Sequence, residues 1–553
     1  MKKKTGSILL TGILLASAIL SGCAGRKEEI QETKETKTVE AQTSGVSTTD
    51  EKETEQTLEK VEVTIASGRA DTYAKWEDMT VIKQLQENIS DCLSIDWLDW
   101  PAAVAGEKIN LAMNSGEYPD AMIGTWLLST QDTANYAGQE IIVPLEDYIT
   151  EELTPNLYAL FEARPEYKEA LKSPDGHIYA LPSYNETTAK LRTINDTILI
   201  NTEWLKAVGK EMPTTTEELY DVLVAFRDAG DLNGNGIADE VPMTCYYGTS
   251  SFGDHQYGLH SIIGWFGVCT NKIGITKRDN GEIVFPGIQP EWKEAVEYLH
   301  RLYSENLLDK EVFTMAKEAY SAKCKSQTPV AGVLVWWSSY AIDTAVGEGV
   351  YQYLPPLTSP NGEKPSWQYR NFPISDNLAF WVTDKGVDKL PQLMKFIDQF
   401  YDQDLGVELA LGVKGKYLEE VSENVYNQLT DAEGKAYSDE VKSADVPLKY
   451  SPFLLLKESY QTETETPGNL AGLEAMKVYG DYVEPEYTYL NAWLTGEESQ
   501  ELSILSVDIG EHYRRHLAEW VVNGGIEKEW DDYVAAYQNL ELDKWIDIRI
   551  THE

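Results

Sequence analysis

From Ala24 to about Lys60 composition bars the chain from a folded core, so the fold of this 553-residue chain is expected to start near Val61. Lys2, Lys3 and Lys4 form a charged head, and Ile8–Leu20 is an apolar run. Together they read as an export signal over 1–22, too short for a good membrane span, which takes about 20 apolar residues. From Ala24 to Lys60 the chain is Lys, Glu, Gln, Thr and Ser with almost no large apolar side chain. Such a stretch cannot bury enough surface to offset the entropy of ordering it. It predicts a tether over 23–60, and about 37 flexible residues span roughly 30–40 Å.

The small pair Ser21-Gly22 before Cys23 resembles the lipobox of type II signal peptides. That implies cleavage ahead of Cys23 and a diacylglyceryl thioether on its sulfur, with palmitate-like chains. Two acyl chains suffice for stable anchoring. The expected address is the outer face of a Gram-positive-like cell membrane. The formal charge of −44 becomes about −47 once the three lysines leave. A body this acidic repels nucleic acid and anionic lipid surfaces, which excludes both as partners.

Fifteen Trp and 32 Tyr far outnumber 11 Phe. Trp and Tyr join a flat apolar face to a polar handle, which suits the C–H faces and hydroxyl rims of sugars. Of the cysteines beyond Cys23, none of Cys92, Cys245, Cys269 and Cys324 has zinc-type spacing. Export would permit disulfides, and paired and unpaired thiols both remain open.

Strands are predicted at Val61–Ala66, Leu93–Trp97, Ala121–Gly124 and Thr197–Asn201. Helices are predicted near Thr80–Asn88, Ala103–Asn114 and Glu203–Val208. This alternation argues for α/β lobes with mostly parallel sheets. After Pro213, Thr214 and Glu217 have the spacing of a capping box. Apolar stripes at Trp292–Tyr303, Leu393–Tyr401 and Leu502–Val522 read as core faces of helices. His512 and His516, one turn apart, are expected as solvated surface residues.

The sharpest chemical motif is Asp231-Leu-Asn233-Gly-Asn235-Gly236-Ile237-Ala-Asp239-Glu240. Oxygen side chains stand at positions 1, 3, 5 and 9 with Gly at 6, as in an EF-hand loop. Ile237 would offer its carbonyl. Position 12 is Pro242, so Glu240 is the substitute carboxylate. A structural Ca²⁺ bound by Asp231, Asn233, Asn235, Ile237, Asp239 and Glu240 is the expectation, against a metal-free Asx/Gly turn.

Several segments occur in one characteristic order: Ser115-Gly116-x-x-Pro119-Asp120, Ile142-Val-Pro-Leu-Glu-Asp147, Asp175-Gly176-x-Ile178-Tyr-Ala-Leu-Pro182, Trp204-Leu205 before Pro213-Thr, and the 231–240 loop followed by Val241-Pro242. Phe396–Tyr401, Gly412–Gly415 and Trp530–Tyr533 complete the set. Over about 61–550 the chain resembles the extracellular solute-binding proteins of ABC importers, of the carbohydrate-binding group that includes maltose-binding protein.

The resemblance implies a periplasmic-binding-protein-like α/β fold with two lobes, a hinge and ligand in the cleft between them. Lobe 1 is expected at 61–182 plus 351–385, and lobe 2 at 183–350 plus 386–553, with crossings near Ser183, Tyr351 and Lys385. It implies a monomer that delivers an oligosaccharide or sugar derivative to permease subunits. In α/β lobes ligand sits beyond the carboxyl ends of strands. That placement nominates Trp126 and the Trp336–Trp337 pair as stacking platforms, with Tyr73, Trp76, Tyr184, Tyr246 and Tyr247 as further aromatics. Asp120 and Arg370 are polar candidates. Each has an ordinary alternative as a core residue. No GxSxG, HExxH or P-loop is present, so no catalytic residue is assigned and no enzyme is expected. The alternative is a surface glycan-binding or glycan-degrading lipoprotein without a transport partner.

Overall fold

The computed structural model describes residues 58–186, 194, 196–248, 252, 258–269, 274–278, 280–367, 374–462, 467–483 and 494–551. Cys23, the signal, nearly all of the tether and Arg370 lie outside the described residues. The chain divides into the units Met1–Gln56 and Thr57–Glu553, and the second carries all the structure described below.

In chain order the strands are β1 (Val61–Arg69), β2 (Leu93–Pro101), β3 (Ala121–Ile123), β4 (Leu181–Asn185), β5 (Thr197–Asn201), β6 (Val241–Thr244), β7 (Thr276–Lys277), β8 (Ile283–Val284), β9 (Ala331–Trp336), β10 (Tyr351–Tyr353), β11 (Ile374–Val382), β12 (Leu418–Ser422), β13 (Val425–Gln428) and β14 (Leu454–Leu455). One sheet has the order β14-β4-β11-β3-β1-β2 and another β10-β5-β9-β6. The pairs β7–β8 and β12–β13 are small antiparallel ribbons.

The first sheet starts as two crossover units. β1 pairs in parallel with both β2 and β3. Such strands need a covering connection. The helix Thr80–Asn88 supplies one through Val81, Ile82 and Leu85. The helix Ala102–Ser115 supplies the other through Ala105, Ile109, Ala112 and Met113. Gly116 ends it at φ 74°, its N–H on Ala112 O, a left-handed stop that glycine adopts at little cost.

The sheets are mixed: three of the five pairings in the first are parallel, but only one of the three in the second. β11 runs antiparallel between β3 and β4. It follows all four strands of the second sheet in the chain, so no βαβ crossover sets its direction. The capping box also sits one residue later than expected. Thr215 caps the helix Thr216–Ala229 and Glu218 reaches back. Thr358 N donates to Thr214 O and Thr216 N to Thr358 O, which holds the residues before the helix extended and delays its first turn.

Apolar side chains form two large cores. The first joins β1–β4 to Leu378–Leu456. The second joins Ile194–Trp367 to Ala475–Trp545. A small third cluster lies on the other face of the second sheet. Alternation decides the face: Val333 and Val335 enter the second core, while Leu334 and Trp336 enter the small one, as period two requires. The packing thus divides the chain differently from the expected lobe boundaries. Tyr351–Trp367 stays with the second sheet, and 386–456 belongs with the first because β11 and the helix Leu390–Asp398 are built into it. The chain passes between the large cores within 184–194, 367–378 and 456–475.

Two contacts tie distant segments. Asp398, on the helix Leu390–Asp398, accepts from Asn156 N, Leu157 N and Asn156 Nδ2 at 3.2, 2.9 and 3.1 Å. It caps the helix Pro155–Ala163 from across the core, where Thr154 makes no cap. Gln131, on the helix Thr130–Gly138, donates to Ser499 O at 3.0 Å and to Ser503 Oγ. Those serines lie on the long helix Gly496–Asn523. This is where described elements of the two large cores pack side by side.

Candidate functional site

β1 and β3 are parallel neighbours, with Ser67 opposite Ile123, so both deliver their chains to the same sheet end. There Gly68 and Gly124 touch. A Cβ on Gly124, which has φ 141°, would stand 2.8 Å from Gly68 Cα, a space only glycine leaves. Gly124 N donates to Ala379 O at 2.8 Å, and Thr125 N to Tyr450 O at 3.1 Å. The Thr125 hydroxyl donates to Lys449 O at 3.0 Å. Beyond the turn, Ser129 and Asp132 form a capping box.

Between these anchors Trp126 adopts φ 65° and is 39% exposed. A bulky residue in the left-handed region is uncommon and costs on the order of 1–3 kcal/mol, so it persists only where its surroundings over-determine it. Trp126 meets the edge of Tyr450 at 6.0 Å, and Tyr450 meets Tyr73 edge-on at 5.0 Å. Tyr73 is 8% exposed. Arg69 fixes its loop by donating to Ala70 O, Asp71 O and Tyr73 O while paired with Asp99. The result is an aromatic wall at the carboxyl ends of the first sheet. Tyr450 was not legible in the sequence, because no strand precedes it and its place comes from long-range packing.

In the second sheet β9 is buried throughout. Trp336, the last strand residue, is buried against Tyr320, with the Lys325 ammonium 5.0 Å from its ring. Trp337 follows and is 46% exposed. Of the expected pair, Trp337 presents the free surface, because alternation turns Trp336 into the small cluster. The next helix, Ser339–Val346, is fixed at its start by the Tyr353 hydroxyl. That hydroxyl accepts from Ser339 N and Ser339 Oγ and donates to Ala471 O.

Other nominated residues sit elsewhere. Trp76 is fully buried between Trp97 and Phe400, its indole N–H donating to Gly68 O at 3.0 Å, so it props the Gly68 turn from behind. Tyr184 is buried and stacks on Tyr167 at 4.8 Å. Tyr246 is buried on Tyr320. Tyr247 is buried with Phe313 on its edge. Asp120 precedes β3, at the opposite end from Trp126, and is engaged by Thr64 N, Thr64 Oγ1 and Lys389 Nζ at 2.7, 3.1 and 2.8 Å. It ties β1 to β3 and is remote from the wall.

The 231–240 loop links the helix Thr216–Ala229 to β6. Gly236 N donates to Asp231 Oδ2 at 2.9 Å, and Ile237 N to Asn235 Oδ1 at 2.7 Å. Asp239 Oδ1 collects the amides of Asn233 and Asn235. Glu240 Oε1 accepts from Leu232 N and Asn233 N at 2.7 and 3.0 Å, while its Oε2 is buried without a partner. A buried carboxylate oxygen with no donor fits a cation site. Among the described residues no cluster of three or more acidic, His or Cys side chains is closed up at metal distance.

Cys92, Cys245 and Cys324 are buried free thiols, and Cys269 is buried. Burial pushes the Cys324 thiol up to about 12, which leaves it unreactive. His512 and His516 are half-buried and not solvated. Their rings are 4.3 Å apart in a nest with Tyr533, Tyr537 and Trp520.

Two α/β lobes with aromatic walls at their strand ends define a solute-binding protein, and the chain belongs to the substrate-binding proteins of ABC transporters. It is 30% identical over 466 residues, 82% of this chain and 83% of the relative, to the fructooligosaccharide ABC transporter substrate-binding protein FusA of Streptococcus pneumoniae. Lipoprotein LipO of Bacillus subtilis is 26% identical over 63% of this chain and 65% of its own. Solved structures of FusA with kestose, and of its EF-hand mutant with fructo-nystose, each align at TM-score 0.75 and 27% identity. Each covers 88% of this chain and 98% of FusA. A human-milk-oligosaccharide-binding solute-binding protein of Bifidobacterium longum infantis shares the fold at TM-score 0.74 and 22% identity. No protein-family model matches the sequence. The family binds and hands over its solute, so this chain is not an enzyme.

Proposed function

We propose that this chain is a lipid-anchored receptor that captures an oligosaccharide outside the cell and delivers it to membrane permease subunits. The carrying observation is Trp126, exposed yet held in a strained conformation by anchors on both sides. Trp126 and Trp337 supply flat faces from the two lobes, the lobes being the chain segments grouped by the two large cores. Tyr73 and Tyr450 back the first face. Closure of the two lobes on the sugar is a hinge motion. The FusA relative makes kestose the first probe. A sugar bound only by the folded chain raises its melting temperature. Calorimetry with Trp126→Ala then tests the wall, and unchanged affinity in both Trp126→Ala and Trp337→Ala would overturn it.

Two further assignments belong to this reading. The 231–240 loop holds a structural Ca²⁺ through Asp231, Asn233, Asn235, Asp239, Glu240 and the Ile237 carbonyl, supported by the unpartnered Glu240 Oε2. Cys23 carries the lipid. Cys23→Ser would release the protein from the membrane, and full retention of that variant would refute the anchor.

A further inference from the structure

We propose that Gln131 is a positioning residue for capture. Its side chain latches the two lobes together and so raises affinity for every solute by one common factor. The inference rests on the reading above, since it takes the Trp126 wall as the place where solute is held. Gln131 lies in the first turn of the helix Thr130–Gly138, five residues past Trp126, at the carboxyl ends of the first sheet. That helix belongs to the first core. Its Thr133 is buried and accepts from the Trp381 indole at 2.9 Å, while Ala134, Tyr136 and Ala137 pack inward. The other half of the contact belongs to the second core. The helix Gly496–Asn523 is rooted there by Ile509, Tyr513, Leu517, Trp520 and Val521. Its first turns run ahead of that root. Ser499 stands about 15 Å before Ile509 along the axis, yet it is fully buried. These turns are braced from their own lobe: Lys544 pairs with Glu501, and the Trp545 indole donates to Ser506 Oγ at 2.8 Å. They therefore move with the second lobe as a rigid piece.

From the first lobe the Gln131 amide reaches both Ser499 O, at 3.0 Å, and Ser503 Oγ. Ser503 Oγ in turn donates to Ser499 O at 2.9 Å. An amide nitrogen carries two N–H groups, so one side chain serves both acceptors without any charge. Gln131 is only partly buried and Ser503 is exposed, so the contact forms and breaks without unpacking a core. An N–H···O bond holds only between about 2.7 and 3.2 Å. A rotation that parts these two helices by about 1 Å therefore breaks it. The contact favours one arrangement of the lobes over all others. It lies on the strand-end side of the first sheet, where Trp126 stands, so the favoured arrangement is the one with the lobes drawn together over the wall. The latch acts without touching solute. Its loss lowers the population of the competent arrangement, and that population scales the apparent affinity of every ligand alike.

The test is calorimetry on the detergent-solubilised full chain with kestose and fructo-nystose. Gln131→Ala should weaken both sugars equally, by about fivefold, as the loss of a neutral hydrogen-bonded contact predicts. Gln131→Glu sets an acceptor against the Ser499 carbonyl and should weaken both at least as much. The sugar-free melting temperature should hold in both variants. A second arm needs no sugar. Spin labels at Glu107→Cys and Glu294→Cys sit at exposed positions on helices of the first and second cores, and the four cysteines of the body are buried. Gln131→Ala should lengthen the separation of those labels. Unequal weakening would make Gln131 a sugar contact, and tighter binding would mean that the contact props the cleft open; either overturns the latch, as does unchanged affinity. If Trp126→Ala still weakens both sugars in that last case, the wall reading survives and only the latch falls. If the wild type binds neither sugar, the sugar reading fails, and the label separation alone decides the latch, an unchanged value refuting it.

Discussion

Trp126 and Trp337 each follow a strand end, one per lobe, but they are held by opposite means. Trp126 is forced to φ 65° by the Gly68–Gly124 contact, the Thr125 bonds and the Ser129 cap. Trp337 has no positive φ and simply overruns β9. The first wall stores strain to fix one ring in place, and the second relies on ordinary strand geometry. The 231–240 loop is a third case, in which a local run of oxygens organises itself with little tertiary help. Geometry at the candidate sites can thus be local and unstrained, or long-range and strained, within one molecule.

The comparison can be broken at four points. The largest effect is expected from the metal. Chelation or Asp231→Ala should lower stability, by about 4 kcal/mol where Ca²⁺ stands at 1,000 times its Kd. A melting curve indifferent to excess chelator would make the loop a plain turn. Next is the glycine contact. Gly124→Ala drives a methyl onto Gly68 and should cost about 3 kcal/mol by denaturant unfolding. A loss below about 0.5 kcal/mol would mean that the two turns are not coupled.

Third, Trp126→Ala should weaken sugar binding at least about tenfold, or 1.4 kcal/mol. Trp126→Gly should bind as poorly yet melt no lower than wild type, since glycine accepts φ 65° without strain. A large fall in its melting temperature would show that Trp126 is there for packing. The smallest effect is pH-dependent. Burial pushes the Asp398 carboxyl up to about 6, against the bonds from Asn156 and Leu157. A raised folded-state value favours the fold fully below the ordinary carboxylate range and loses that contribution as pH rises through about 6. Wild-type stability should therefore decline modestly between about pH 4 and about pH 7, and Asp398→Asn should flatten that decline. Parallel pH profiles would assign the trend to other groups.

Much of the α/β alternation was legible because it is periodic. Val81, Ile82 and Leu85, or Ala105, Ile109 and Ala112, declare a helix face without knowledge of the partner. The aromatic candidates were legible by position but not by exposure. Trp76 and Trp126 both follow strands, yet one is sealed under Gly68 and the other open. Trp336 and Trp337 differ by one residue, which on a pleated strand exchanges the buried face for the free one.

The sequence by itself determined what is local: the crossover helices of the first sheet and the oxygen spacing of 231–240. Tertiary structure decided what depends on residues far apart in the chain. Only folding turns β11 antiparallel between β3 and β4, brings Tyr450 beside Tyr73 and Trp126, and lets Asp398 cap a helix that starts at Pro155. The physical reason is that periodicity and turn chemistry act over a few residues. Exposure, strain and capping from a distance are set by which surfaces meet once both cores close.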